Sequence, residues 1–479
     1  MKSFKTWGVV ASAGSVALLA GVTLPVNAYL GAMAALFLVA AAVAALSLQL
    51  ETPFLGLAVL VVTAVVLPVE FRGPSAGMVS SSLPLAAFLC AVWLLHATLT
   101  RSLAFFDRSR VMYAALAFMA ITLVSFAMGQ FPWFPGGGAP LPVQVAELGI
   151  FLVSVCLFLS VGHQVRSMVQ LQWLTWMFVA AGLVTCIVQT VPGLAFVGLW
   201  TTRPGSVGSL FWTWLVALCF AQAVFNRSLA VPTRLCLLGI NALVFYHGLG
   251  QAREWASGWL PPLAAVGTIL LVGFPRLTSG VAVLALPVAL FFGGDISDWL
   301  LGSEGNSLSS RLAAWETLWP LVQRSPLLGT GPANYYYYTE NLPILGWYVR
   351  FFSHNTYQDL LVQTGVLGLL AFCWLAFEIS WMTLRVYRRV PAGFARAYAL
   401  GALGGLTGSL VAGWLGDWII PFYYNAGILG FRSSLFFWVF LGGILALNRM
   451  TFSQSEAEAV AHPQAWPTPG RHRRLVEAH

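Results

Sequence analysis

The sequence predicts an all-α polytopic membrane protein, on three observations. Hydrophobic residues make up 59% of the 479 and charged ones only 8%, against roughly 45–50% and about 25% in ordinary soluble domains. Mean hydropathy is +0.81, so too little polar surface remains to cover even one globule in water. The apolar residues also come in runs close to the length, about 20 residues, that lets a helix cross a bilayer. With 33 Phe and 20 Trp against 16 acidic residues, the composition excludes a disordered chain, a coiled coil and a nucleic-acid-binding protein.

Taken in order, candidate spans fall near 7–24, 29–49, 53–71, 83–99, 111–128, 146–162, 171–191, 208–225, 235–249, 255–272, 277–292, 356–384, 397–416 and 428–447. That makes 14, with 12 as the lower count because 235–249 and 277–292 are short. Lys2 and Lys5 precede the first run, but further runs follow at once, so it reads as a span and not as a cleaved signal. Both lysines and most arginines fall in loops of one parity, which the positive-inside bias makes cytoplasmic. An even number of spans follows, with both termini cytoplasmic. Arg72, Arg203, Arg253, Arg311, Arg324, Arg350 and Arg432 are left on the outer side. Cys90, Cys156, Cys186, Cys219, Cys236 and Cys373 all lie in apolar runs without a Cys-x-x-Cys pair, so neither a disulfide framework nor a zinc site is expected.

The chain thus divides into a first set of spans (1–292), a large outer loop (293–355), a C-terminal set of spans (356–452) and a polar, mobile tail (453–479). Long loops are uncommon and usually functional. Within this one, Leu308, Leu312, Trp315, Trp319 and Val322 recur at helical spacing after Ser307 and Ser309, and Pro326, Gly329 and Gly331 stop the pattern. The spacing predicts an amphipathic helix over 308–323, lying along the membrane surface.

The outer arginines sit where the positive-inside bias disfavours them. A guanidinium is permanently charged and its fork matches phosphate oxygens, so several at one face would suit an anionic lipid headgroup, above all a diphosphate. Snorkelling or local pairing is the competing explanation, strongest for Arg72, then for Arg324, Arg350 and Arg432. Among the histidines only His247 and His354 fall near the outer face. His354 stands in Phe351-Phe352-Ser353-His354-Asn355-Thr356-Tyr357, where the loop re-enters the membrane. It could be a hydrogen-bonding anchor or a general base, and Arg350, four residues earlier, would favour its neutral, proton-accepting form. Asp295, Asp298 and Glu304 lack His or Cys companions and read as a solvated face.

Several of these pieces occur in a familiar order: Arg311-x3-Trp315, then Pro326-Leu327-Leu328-Gly329-Thr330-Gly331, then Ser353-His354-Asn355-Thr356-Tyr357-x2-Leu360, then Gly365-x2-Gly368. This resembles the signature of the bacterial O-antigen ligase and polymerase superfamily. Gln251-Ala252-Arg253-Glu254-Trp255 looks like a variant of that family's Ser-Arg-Gly-x-Trp step, with Glu254 in place of a small residue. Arg203-Pro204-Gly205-Ser206-Val207-Gly208 matches its Arg followed by a Gly-rich turn. Together the matches cover about 203–368.

The resemblance implies a GT-C-like, metal-independent inverting glycosyltransferase of the bacterial inner membrane, without a cofactor and with its site on the periplasmic side. The donor would be O-antigen on undecaprenyl pyrophosphate and the acceptor lipid A–core. His354 would be the general base, Arg203, Arg253 and Arg311 would hold the pyrophosphate, and Asn355, Arg350 and Tyr357 would support them. Two alternatives stand beside an O-antigen ligase. One is a sister enzyme, an O-antigen polymerase or protein O-oligosaccharyltransferase. The other is a lipid flippase or transporter, which predicts broken helices and charges inside the membrane; Glu378 is the plainest acidic residue within a span.

Overall fold

A computed structural model describes residues 54–66, 70–72, 78–80, 82–100, 109–132, 136–191, 193, 208–276, 280, 305–425 and 427–461. The expected spans 7–24, 29–49 and, apart from residue 280, 277–292 lie outside the described residues, as do Arg203 to Val207, Asp295, Asp298 and Glu304. The described chain is helical apart from a short hairpin, β1 (Glu70–Arg72) antiparallel to β2 (Met78–Ser80). Its helices are α1 (Phe54–Val66), α2 (Ser82–Leu99), α3 (Arg110–Met128), α4 (Leu141–Gln164), α5 (Met168–Thr190), α6 (Ser209–Phe225), α7 (Val231–Phe245), α8 (Ala256–Gly273), α9 (Gly305–Arg324), α10 (Tyr335–Tyr338), α11 (Thr356–Arg389), α12 (Phe394–Leu415) and α13 (Gly427–Ala461). Among the described residues, eight helices are long and apolar enough to cross a membrane, and α1 and α6 are shorter apolar helices. The protein is therefore a helical membrane protein.

Boundaries follow local chemistry. Ser109 and Ser167 accept from the backbone N–H groups of Met112 and Gln170, capping α3 and α5. Pro142 and Pro232 sit in the first turns of α4 and α7, where a missing N–H costs nothing. α1 ends earlier than the hydropathy run because the hairpin follows it. α13 runs on to Ala461, into the segment expected to be a tail.

In lipid, helices gain little from hiding apolar surface from one another, so close packing and hydrogen bonds must hold them. Gly404 and Gly408 serve this on α12: a Cβ at either would collide with backbone of α8, the carbonyls of Ala265 and Pro261 respectively. Phe178 of α5 packs its ring 4.7 Å from Phe436 and 4.8 Å from Phe440 of α13. The Tyr398 hydroxyl donates to the Phe440 carbonyl (2.8 Å), satisfying a buried polar group.

One of the arginines expected on the outer side is structural. Arg432 on α13 is 2% exposed, and it donates from Nε to the Ala64 carbonyl and from Nη2 to that of Val65 (2.8 Å). It thereby caps the C-terminus of α1. All six cysteines are free thiols.

Candidate active site at a broken helix

The site begins with an interruption in α11. Gly365 has φ 68° and ψ −173°, so the helix breaks inside its own span. Backbone groups freed by such a break cannot stay unpaired in a membrane, and segment 326–331 pairs with them. The N–H groups of Thr330 and Gly331 donate to the carbonyls of Val362 (2.8 Å) and Gln363 (3.0 Å), while those of Val366 and Leu367 donate to Pro326 (2.8 Å) and Leu327 (3.2 Å). The Ser125 hydroxyl of α3 lies against the Leu328 and Gln363 carbonyls at 2.5 and 2.6 Å. Gly329, at φ 68°, and Gly365 face this seam so closely that a Cβ on either would strike backbone across it. The Pro-Leu-Leu-Gly-Thr-Gly motif thus does more than stop α9; it completes α11.

Directly before α11 lies His354. Ser353, Asn355 and Thr356 are buried around it, whereas His354 itself is exposed. Its φ of 52° is left-handed, a conformation that costs a non-glycine residue energy and often marks a functional position. Neighbours on both sides fix it. Asn355 caps α11, its Oδ1 accepting from the N–H groups of Tyr357 (2.9 Å) and Gln358 (3.1 Å). The Ser353 Oγ accepts from the Asn355 N–H (3.0 Å) and lies 2.7 Å from the Asp359 Oδ1. The Tyr335 hydroxyl donates to that same oxygen at 2.5 Å, and burial followed by the Asp359 charge pushes the Tyr335 phenol well above its usual range.

Helix α9 closes one side, as Trp315 Nε1 donates to the Ser353 carbonyl (3.1 Å). The helix exists as the spacing predicts, over a longer range and with a different inner face. Ala314, Leu318, Leu321 and Val322 are buried, while Leu312 and Trp319 point outward. Arg311, one turn before Trp315, brings a positive charge to His354. Although the imidazole reaches solvent, its crowded setting lowers its pKa from the usual 6.5 to about 4, with the Arg311 charge as the second cause.

The expected source of that charge was Arg350, and here the structure differs. Residues 348–352 are not helical. Arg350 instead makes a two-point contact with Glu340 Oε2 (2.9 and 2.7 Å) and lies 4.1 Å from the centre of the Tyr337 ring. Glu340 and the neighbouring tyrosines hold its guanidinium firmly charged, but as a brace for the loop. Tyr357 is likewise structural, donating to the Leu410 carbonyl (2.6 Å).

The loop between α12 and α13 supplies residues that sequence reasoning missed. Asp417 is 3% exposed, and its Oδ2 accepts from the Phe422 N–H (2.7 Å) while Oδ1 accepts from Asn425 Nδ2. The same Asn425 Nδ2 lies 3.4 Å from Nδ1 of His354. The signal was available: an Asp in a short loop between two spans that are otherwise free of acidic residues. Below it lie two further buried carboxylates, Glu147 on α4 and Asp359 on α11, whose charges interact with each other and with that of Asp417. Both lie within the first two turns of helices that cross the membrane, whereas Glu378 is buried mid-helix in α11 and remains the plainest acid within a span.

Arg253 lies half-buried on the turn between α7 and α8, next to a π-helical turn, Tyr246–Gln251. Its carbonyl accepts from Trp259 Nε1 (3.0 Å). The neighbouring Ser257 Oγ donates to the Leu415 carbonyl (3.3 Å), and the Trp255 ring packs 6.2 Å from that of Trp418. The Arg253 turn and the His354 loop therefore flank one segment, 414–425, from two sides. Beside the turn opens a largely apolar cavity of about 220 Å³, lined by residues including Trp212, Val244, His247, Ala252, Trp255 and Gly258. His247 ties the π turn to α5 through Thr190 Oγ1 (2.8 Å). Arg324 is exposed at the end of α9. Among the described residues no group of three or more His, Cys, Asp and Glu is arranged to hold a metal ion. Comparison with known proteins finds no family model and no curated protein that matches this chain.

Proposed function

We propose that the protein is an O-antigen ligase-like glycosyltransferase of the bacterial inner membrane. It would move a glycan from undecaprenyl pyrophosphate to a sugar hydroxyl of lipid A–core at the periplasmic face, within a GT-C-like bundle of 12 to 14 spans with cytoplasmic termini. The observation that carries this reading is the exposed, left-handed His354 under the charge of Arg311, at the mouth of a broken membrane helix.

The chemistry is an inverting displacement. A neutral imidazole has one lone pair. With an Asn425 amide hydrogen turned towards Nδ1, that lone pair is on Nδ1. An acceptor hydroxyl displacing this long contact gives its proton to Nδ1 as its oxygen attacks the anomeric carbon. The bond from that carbon to the phosphate oxygen breaks on the opposite face, and undecaprenyl pyrophosphate leaves with the electron pair. Arg311 and Arg253, together with Arg203, stabilise the developing negative charge, a role in which one lost donor typically costs about a hundred- to a thousandfold in rate. The apolar cavity beside Arg253 suits the first isoprene units of the lipid.

Transfer from a polyprenyl-pyrophosphate-linked glycan, with lipid A–core, a second donor or a pilin-like protein as acceptor, separates ligase from polymerase and protein glycosyltransferase. His354→Asn is the informative variant because Asn tolerates the left-handed backbone. It is expected to fold and to lose about a hundred- to ten-thousandfold in rate. Unchanged turnover removes His354 as the base.

A transporter is the second reading, favoured by the broken α11 and the buried Glu147 and Asp359. Each of these carboxylates has one oxygen without a hydrogen-bond partner among the described residues. Flux of lipid-linked glycan across vesicles, without glycan transfer, would select it.

A further inference from the structure

Two indoles flank His354, and the reaction described above uses neither. Trp315 Nε1 donates to the carbonyl of Ser353, the residue before the histidine, and Asn355 Nδ2, from the residue after it, donates to the Trp414 carbonyl at 3.3 Å. The two rings stand 6.2 Å apart with their planes at 59°, forming an open corner and not a stack. Trp315 is one helical turn from Arg311, whose charge reaches His354. Trp414 remains 57% exposed.

An exposed tryptophan near a membrane surface is ordinarily an interfacial anchor. Trp414, however, is built into the site. Its ring is backed by Tyr357 at 5.0 Å, and two residues further on, the Gly416 carbonyl accepts from the N–H and hydroxyl of Thr356 (3.2 and 3.0 Å). The base of the His354 loop therefore fixes this indole. A pyranose presents a face of weakly positive C–H groups, which settles on the electron-rich face of an indole; an isoprenoid chain has no such need of a flat ring.

Resting on the glycosyl-transfer reading above, we propose that Trp414, with Trp315 as a second wall, is the stacking platform for the donor's first pyranose ring, holding its anomeric carbon between Arg311 and His354.

The test compares binding of undecaprenyl pyrophosphate carrying one N-acetylglucosamine with binding of undecaprenyl pyrophosphate alone. The parent protein should prefer the sugar-bearing lipid by roughly threefold to tenfold, the scale of one aromatic stacking contact. Trp414→Leu and Trp414→Met keep apolar bulk but lose the flat face, and a folded variant of either kind should bind the two lipids alike, with affinity for the sugar-free lipid unchanged. Trp414→Phe should retain most of the preference. The platform is refuted if the parent shows no preference, if Leu or Met retains it, if Phe loses it as fully as Leu, or if the variants weaken both lipids equally, as a bilayer anchor would. Failure of the parent to bind either lipid instead removes the glycosyl-transfer reading itself.

Discussion

Asp417 and His354 share one intermediary. The Asn425 amide donates to Asp417 Oδ1 and lies 3.4 Å from the His354 Nδ1. The Asp417 carboxylate accepts only, so it holds the amide hydrogens, and not the amide oxygen, on the side that faces the imidazole. It thereby selects which ring nitrogen keeps the lone pair, without touching the ring.

Asn425→Ala no longer biases the ring towards the tautomer with its lone pair on Nδ1, so kcat for glycan transfer should fall by about twofold to tenfold, with the thermal midpoint near that of the parent. Asp417→Asn should cost at least as much, because it also weakens the acceptor for the Phe422 N–H. Steady-state kinetics on the purified variants check both, and full activity in Asn425→Ala would detach the amide from the reaction.

The acid limb of the pH profile is a second expectation. A base works when neutral, so activity falls as pH drops through its pKa, about 4 for His354 in the free protein. That limb should appear in kcat/KM. On the proposed reaction a bound diphosphate would offset the Arg311 charge and raise the imidazole pKa, so the limb in kcat should lie at higher pH than the limb in kcat/KM. Arg311→Gln removes the same charge and should move the kcat/KM limb upward. Coincident limbs near 6.5 in all three measurements would show that Arg311 does not act on the histidine.

Charge alone should not suffice at the arginines. Arg311→Lys and Arg253→Lys keep a positive charge but lose the planar fork, so each should recover only part of the activity lost in the alanine variants. Initial rates with saturating acceptor measure this, and full recovery by Lys would reduce the guanidinium to a point charge.

Gly365→Ala and Gly329→Ala should each lower stability by at least about 2 kcal/mol, since both positions combine positive φ with backbone contact across the seam. Thermal unfolding in detergent is the measurement, with Gly137→Ala as the control because a Cβ there meets nothing within 4 Å.

Among the described residues, hydropathy located the long apolar helices because a span needs only length and apolar character, and both are local. It also placed His354 and Arg311 in one region through the order of their motifs. The break at Gly365 was invisible to it, since a single glycine in an apolar run looks like any other until another segment supplies its hydrogen bonds. Arg350 misled for a related reason: spacing of four suggests one helical turn, but Glu340, ten residues earlier, captures the guanidinium. Asn425 is an ordinary loop residue in sequence and acquires meaning only through the fold, whereas Asp417, an acid between two spans free of acidic residues, was legible in the sequence.

The seam between segment 326–331 and α11 bears on how the protein is assembled. Residues made early, including Ser125, and residues made much later supply one set of bonds, so α11 cannot settle in the bilayer as an independent unit. Substitutions along that seam should surface first as poor biogenesis, with immature chains cleared by quality-control proteases. A catalytic defect in such a variant has to be read against the amount of protein that matured.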